Sequence, residues 1–399
     1  MDLRRLTAAA FGHFSIDVLN SSIAMILTHL SGNFQLSVSQ IGFGAMVYTV
    51  FAAMTQPFFG ALADRWRGRW LAGFGVLWTA IFFALGPFMP NYPAFLICLT
   101  IGAWGSGALH AAGMVNANAA GGSRPALATS IFFVAGQIGL SIGPLAAGYY
   151  LQHGGLTGMI WSAVGMLPAV ALMLLWLRKP LALEATPVDQ ASAKAQHSMR
   201  RGATAVILIA FVLFIALRST TTQTLSTLLP KYYDNQGIPT TVYGVMLSVF
   251  SFSGAMGTFI GGWLGDRYNR RVILFSATLL SVPACFALLS ASGWLFYLLA
   301  IFSGLLLNIP HSILIVMSQQ LIPQRKGLMG GLTLGFMFAA GAIGVWIAGW
   351  FADSNGLPVT LAAVTFLPLG AACCALLLPP TRRAVTVPTT LPATANAGD

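Results

Sequence analysis

His13, Asp17 and Asn20 fall at i, i+4 and i+7 in the first long apolar segment, so a helix through this stretch carries all three on one stripe. Imidazole and carboxylate groups exchange protons, and a charged side chain at the centre of a membrane-spanning helix costs roughly 2.5–3.5 kcal/mol on insertion scales. An ionisable cluster placed there is read first as a proton-binding site; the alternative is a buried structural contact. Of the nine acidic residues, Asp17 is the one that falls inside an apolar segment. Arg218 is the single base so placed, and His110 and His311 lie in two further apolar segments. His29 sits near the outer end of the first segment, and His153 and His197 read as loop residues.

Such residues need a membrane-spanning scaffold, and the composition supplies one. The 399 residues are 57% hydrophobic and 7% charged, with a mean hydropathy of +0.78, which identifies a polytopic membrane protein. Spans are predicted at 7–31, 40–62, 70–88, 93–120, 126–151, 158–177, 203–228, 240–263, 272–290, 294–321, 328–350 and 359–378, twelve in all. The first is too long and too polar at its middle for a signal-peptide core, so it reads as a retained helix. Cys98, Cys285, Cys373 and Cys374 fall in apolar spans and imply no disulfide framework. The net charge of +11 does not indicate a nucleic-acid partner. All of the 20 basic residues except Lys231 and Arg218 fall in segments on one side, so the positive-inside rule places both termini in the cytoplasm.

The polar, proline-containing stretch 179–201 divides six spans from six and reads as a cytoplasmic linker between bundles 1–178 and 202–380; the tail 381–399 is expected to be disordered. Across the linker the chain repeats. Gly60-Ala61-Leu62-Ala63-Asp64-Arg65-Trp66-Arg67-Gly68-Arg69 matches Gly262-Trp263-Leu264-Gly265-Asp266-Arg267-Tyr268-Asn269-Arg270-Arg271, with Asp64 and Asp266 separated by 202 residues. His110 pairs with His311, and Gly136 and Gly139 with Gly341 and Gly344, at nearly the same offset. By this offset Arg218 corresponds to position 16, next to Asp17, so the one acid and the one base in the spans are expected to face each other across a central cavity. Desolvation and the Arg218 charge act on Asp17 in opposite senses, so a change in their separation would drive proton binding and release. A permanent ion pair joining spans 1 and 7 is the structural alternative.

The Gly-x-x-x-Asp-Arg-x-x-x-Arg loop after span 2, echoed after span 8, resembles the signature of the major facilitator superfamily, and the resemblance runs from about residue 6 to 380. It implies an all-α integral membrane fold with twelve helices in two pseudo-symmetric six-helix halves that rock about a midplane site. Asp64, Arg65, Arg69, Asp266, Arg267 and Arg271 are then expected to form a conformational latch, Asp64 accepting from backbone N–H groups at a neighbouring helix N-terminus. Gly139, Gly143 and Pro144 resemble the glycine-proline motif of antiporters in the superfamily, where small residues let helices approach closely. The stretches His13–Asp17, Gln56-Pro57, Gly105–His110 and Ser130–Leu145 are similar to the fosmidomycin-resistance branch, which implies a functional His110. In that branch the histidine of helix 4 is followed by proline and glutamate; this chain has Ala111 and Ala112 there, and Ile101 where many drug/proton antiporters place arginine.

The resulting expectation is a proton-driven exporter of small amphipathic or anionic compounds. Asp17, His13 and His110 would handle protons, and Arg218, Asn20, Tyr48, Gln56, Trp104, Gln137, Tyr243 and His311 would line the substrate path. Symport or facilitated uptake of a small metabolite or lipid-like molecule is the alternative. The sequence contains no Gly-x-x-x-x-Gly-Lys loop or His-Glu-x-x-His motif, and its Gly-x-Ser-x-Gly match, Gly139 to Gly143, falls inside an apolar span rather than at a strand-to-helix elbow, so neither ATP use nor enzymatic activity is expected, nor any metal or cofactor. Expected partners are a small-molecule substrate, protons and the lipid bilayer of a bacterial inner membrane, with the chain acting as a monomer.

Overall fold

A computed structural model describes residues 1–66, 69–180, 201–321 and 326–380; side chains of Asp64 and of a few residues at helix ends are not described. Most of the expected linker and the whole expected tail lie outside these residues. The described chain is helical, without strands: α1 Leu3–Asn33, α2 Val38–Arg65, α3 Leu71–Leu85, α4 Tyr92–Ala120, α5 Pro125–Gly154, α6 Gly158–Val164, α7 Leu167–Trp176, α8 Arg201–Asp234, α9 Thr240–Arg267, α10 Arg270–Leu288, α11 Gly293–Leu321, α12 Lys326–Asn355, α13 Leu357–Thr365 and α14 Leu367–Leu377.

Eleven apolar helical runs, rather than twelve, are long enough to cross a membrane among the described residues. The difference lies in Leu127–Trp176, a single run of 50 residues, more than twice what one crossing needs. Gly155, at φ +55°, turns the chain within it, and Gly158 seats α6 back against the backbone of Tyr150 on α5. Gly356, at φ +86°, makes the equivalent turn in the second repeat. Two of the expected spans are broken, α6 from α7 and α13 from α14, with Pro168 and Pro368 each opening the second piece in the N-terminal turn, where a missing N–H is tolerated.

Within the first half α1 packs on α5, and α4 on α2 and α3; within the second α11 packs on α9, and α8 on α12. The halves meet mainly through α2 against α12 and α5 against α9. Glycine makes both contacts possible. A Cβ on Gly42 would lie 2.8 Å from the Val345 carbonyl, one on Gly349 2.7 Å from that of Val38, and one on Gly244 2.7 Å from that of Pro144. Five helical turns away on the same faces, Gly60 of α2 and Gly331 of α12 have nothing within 4 Å. The halves therefore touch at the end where α2 begins and part at the end bearing the chain's N-terminus.

Two side chains fasten the closed end. Asp353 of α12 accepts from the backbone N–H groups of Val38 (2.8 Å) and Ser39 (3.2 Å), the unsatisfied donors at the start of α2. Gln152 of α5 accepts from the N–H of Thr241 at the start of α9, 2.9 Å away, so the repeat provides one such cap on each side. Helix N-caps contribute about 0.5–2 kcal/mol each, so Asp353→Ala combined with Gln152→Ala is predicted to shift the balance toward separation of this end by about fivefold or more. Spin labels at Gln35 and Gln236 would report it as growth of a long-distance population; an unchanged distance distribution would refute the fastening role.

Candidate functional site

Each half holds a buried polar cluster built around the histidine of its fourth span. In the first, α1 places His13, Asp17 and Asn20 on a single face as their spacing requires, and α4 brings Ser106 and His110 to it. His13 Nε2 lies 3.1 Å from Asp17 Oδ2, and His110 Nε2 lies 3.5 Å from Asp17 Oδ1. Asn20 donates to Asp17 Oδ1 (2.9 Å) and to the Ser106 hydroxyl (3.0 Å), and accepts from the Tyr48 hydroxyl (2.7 Å). Asp17 is 5% exposed and His13 3%.

The orientation of both imidazoles is fixed by backbone. His13 Nδ1 is 2.8 Å from the Phe132 carbonyl of α5, and His110 Nδ1 is 2.8 Å from the Ser106 carbonyl one turn back on α4. Carbonyl oxygens only accept, so each Nδ1 carries a hydrogen and each Nε2 is turned to the carboxylate. A contact between Nε2 and a carboxylate oxygen becomes a hydrogen bond when a proton sits on either atom. The cluster thus offers two positions at which a proton can be gained or lost, in a pocket where water has little access. Two histidines and a carboxylate are also the donor types of a transition-metal site, and their ligand atoms lie within 4.8 Å of one another.

The expected glycine motif lies directly over this cluster. A Cβ on Gly136 would lie 2.5 Å from His13 Cε1 and 2.7 Å from Asp17 Oδ2, one on Gly139 3.1 Å from the Asp17 Cβ, and Gly143 meets the Val18 carbonyl and Ser21 hydroxyl of α1. Removing three side chains lets the α5 backbone roof the site, with its carbonyl at Phe132 in reach of His13. Pro144 continues the same helix into the contact with Gly244 on α9.

The second cluster contains Arg218 of α8, 3% exposed, with Asn308 and His311 of α11. Its Nε donates to the Leu307 carbonyl (2.6 Å), Nη2 donates to Asn308 Oδ1 (2.5 Å), and Nη1 is 3.4 Å from His311 Nδ1. The expected facing of Asp17 and Arg218 is not made in this conformation. The oxygens of the acid are taken by His13, His110 and Asn20 within its own half, and the guanidinium is held by α11 within the other. Asp17 reaches His110 from α1.

Other expected site residues divide. Tyr48 joins the first cluster and His311 the second. Gln56 and Gln137 are exposed on the faces that α2 and α5 turn toward the second half, below the closed end. Trp104, 42% exposed, lies about 120° around α4 from His110 at 100° per residue, off the cluster's face. Tyr243 is fully buried at the start of α9, its hydroxyl on Thr240, so it belongs to the packing of the closed end. In the expected latch, Asp266 pairs with Arg270 (3.9 Å), Arg267 lies over Trp263 (4.4 Å), and Arg69 over Trp70 (4.7 Å). Arg270 also reaches Gln320 on α11 (2.8 Å). Arg65 is exposed, and the side chain of Asp64 lies outside the description.

The residues that sequence reasoning passed over are Asn308 and Ser106, along with the Phe132 carbonyl. The repeat pointed to two of them: Ser106 and Asn308 are 202 residues apart, each within a turn of the histidine it accompanies.

Comparison with known proteins agrees with this architecture. The chain is 29% identical over 363 residues to the uncharacterized MFS-type transporter YfnC of Bacillus subtilis (strain 168), covering 90% of this chain and 88% of that protein. It is 27% identical over 369 residues to the fosmidomycin resistance protein of Escherichia coli (strain K12), covering 91% and 90% respectively. Among solved structures, a bacterial homolog of the human lysosomal transporter Spinster, inward-facing and occupied, superposes with a TM-score of 0.80 at 13% identity, covering 93% of this chain and 95% of that one. A D-xylose-proton symporter does so with a TM-score of 0.71 at 15% identity, covering 94% and 98%. With a family model matched over residues 9–239 and 215–395, the chain belongs to the Major Facilitator Superfamily of multi-pass membrane transporters.

Proposed function

We propose that the protein is a proton-coupled exporter of small amphipathic or anionic compounds, working by alternating access. The observation that carries this reading is the buried His13–Asp17–His110 cluster, in which two Nε2 atoms converge on one carboxylate beneath a glycine roof. Protonation changes the charge of the cluster and the hydrogen bond from His13 to the Phe132 carbonyl ties that change to α5, the helix that also forms part of the closed end. A two-state element biased by proton binding at one place and cargo at another is what coupling requires. The loops at the open end carry the basic residues, so the positive-inside rule turns that opening to the cytoplasm of a bacterial inner membrane, where an exporter loads. The name of the E. coli relative supports fosmidomycin as the first cargo to try.

In susceptible bacteria, cells expressing the protein are expected to accumulate less fosmidomycin than vector controls, and an uncoupler that collapses the proton gradient is expected to remove the difference. Higher accumulation in expressing cells would reverse the assigned direction. Equal accumulation before the uncoupler is added would count against export of this drug.

A further inference from the structure

We infer that Arg218, Asn308 and His311 form a receptor for an oxyanion group, carboxylate or phosphonate, on the cargo. This rests on the transporter reading but not on the proton role of Asp17. Arg218 is a buried cation whose described partners are all neutral: a backbone carbonyl, an amide oxygen and an imidazole. A full charge without a counter-charge in the membrane interior is costly, and a bound anion would supply the missing charge. Donor counting gives the same answer. A guanidinium has five N–H groups; the Leu307 carbonyl, Asn308 Oδ1 and His311 Nδ1 take three, leaving one each on Nη1 and Nη2 without a described partner. An oxyanion with two adjacent oxygens can take such a pair.

The two α11 residues prepare the arginine for this. The Asn308 amide nitrogen donates to the Gly304 carbonyl (2.9 Å), which fixes the other end of the amide as the acceptor for Arg218. Gly254 of α9 leaves room for it, since a Cβ there would lie 2.6 Å from Asn308 Nδ2. His311 meets a group that can only donate, so its Nδ1 is the acceptor and its Nε2 carries a hydrogen, a further donor beside the guanidinium. The Nη atoms border Asn308 and His311, both half-buried, whereas Nε is enclosed against Leu307. In the repeat these residues occupy the places of Ser106 and His110, so the duplicated scaffold carries a proton cluster in one half and an anion receptor in the other.

The test is thermal unfolding of the purified full-length protein in detergent with n-butylphosphonate, its neutral diethyl ester and n-butylammonium as probes. Butylphosphonate alone is expected to raise the melting temperature in a concentration-dependent way. Asn308→Asp, which places a competing carboxylate on the guanidinium, and Arg218→Gln should raise the half-maximal concentration by at least about tenfold, while Gly32→Ala, at a position with nothing within 4 Å, leaves it unchanged. Asn308→Asp serves where Arg218→Gln does not give a monodisperse protein. An equal shift in wild type and Asn308→Asp, an equal shift with the neutral ester, or no shift in wild type up to about 50 mM would each overturn the receptor. Persistent fosmidomycin export under any of those results would leave the transporter reading standing and remove only the anion receptor.

Discussion

Asp17→Asn is expected to reduce gradient-driven transport of fosmidomycin by at least about tenfold while leaving fosmidomycin–fosmidomycin exchange close to wild type. The amide matches the carboxylate in shape. Its oxygen can still accept from Asn20, 2.9 Å away in the wild type, and its nitrogen can donate to the Nε2 of His13. Neither atom can take up and release a proton in the working pH range, so the hydrogen-bonded geometry survives while the chemistry does not. A tenfold loss corresponds to about 1.4 kcal/mol of driving coupling, the lower bound expected when the only acid in the site is neutralised. Proteoliposomes with an imposed pH gradient separate the two modes. Wild-type concentrative flux in Asp17→Asn would show that the coupling proton binds elsewhere. Simultaneous loss of exchange would assign Asp17 to the cargo path instead. His110→Gln should be milder, because that ring is 25% exposed at the edge of the cluster and touches Asp17 at 3.5 Å rather than 3.1 Å.

The second large effect is expected from Gly139→Val. Here even a Cβ would stand 3.1 Å from the Asp17 Cβ and press on the Phe14 carbonyl, and the neighbours it meets include backbone rather than the free end of a flexible side chain. Overpacking of this kind costs typically about 1–3 kcal/mol, and relief requires α5 to move off α1. That movement would pull the Phe132 carbonyl from His13 and open the roof of the cluster. Gly139→Val should therefore lower the melting temperature and abolish both driven transport and exchange, a pattern distinct from that of Asp17→Asn. Gly32→Ala, where nothing lies within 4 Å, is the control and should match wild type in both assays. A Gly139→Val protein with normal melting and normal flux would mean that the α1–α5 approach has no role in coupling.

Much of this site was legible because its residues obey helix periodicity. His13, Asp17 and Asn20 share a face because of their spacing, and the 202-residue repeat placed His110 and His311, Gly139 and Gly344, in equivalent helices. The partner of Asp17 was not legible. Pseudo-symmetry placed Arg218 opposite it, but symmetry relates positions in the two halves and does not bring them into contact. Which side chain meets the acid depends on how α1 is rotated against α4 and α5, and that rotation is set by backbone contacts at Gly136, Gly139 and Gly143. The surroundings of Tyr243 were not legible for a related reason: a tyrosine inside an apolar helix looks the same in sequence whether its helix end is open to a cavity or sealed against the other half. Leu127–Trp176 is apolar almost throughout, and the turn at Gly155 divides it between the expected spans 126–151 and 158–177.

The most direct test of proton coupling places a pH-sensitive dye inside proteoliposomes and imposes an outward gradient of fosmidomycin with no initial pH difference. Exchange of cargo for protons predicts acidification of the lumen as the drug leaves with wild type, and none with Asp17→Asn. Drug efflux through the wild-type protein at constant internal pH would contradict the account.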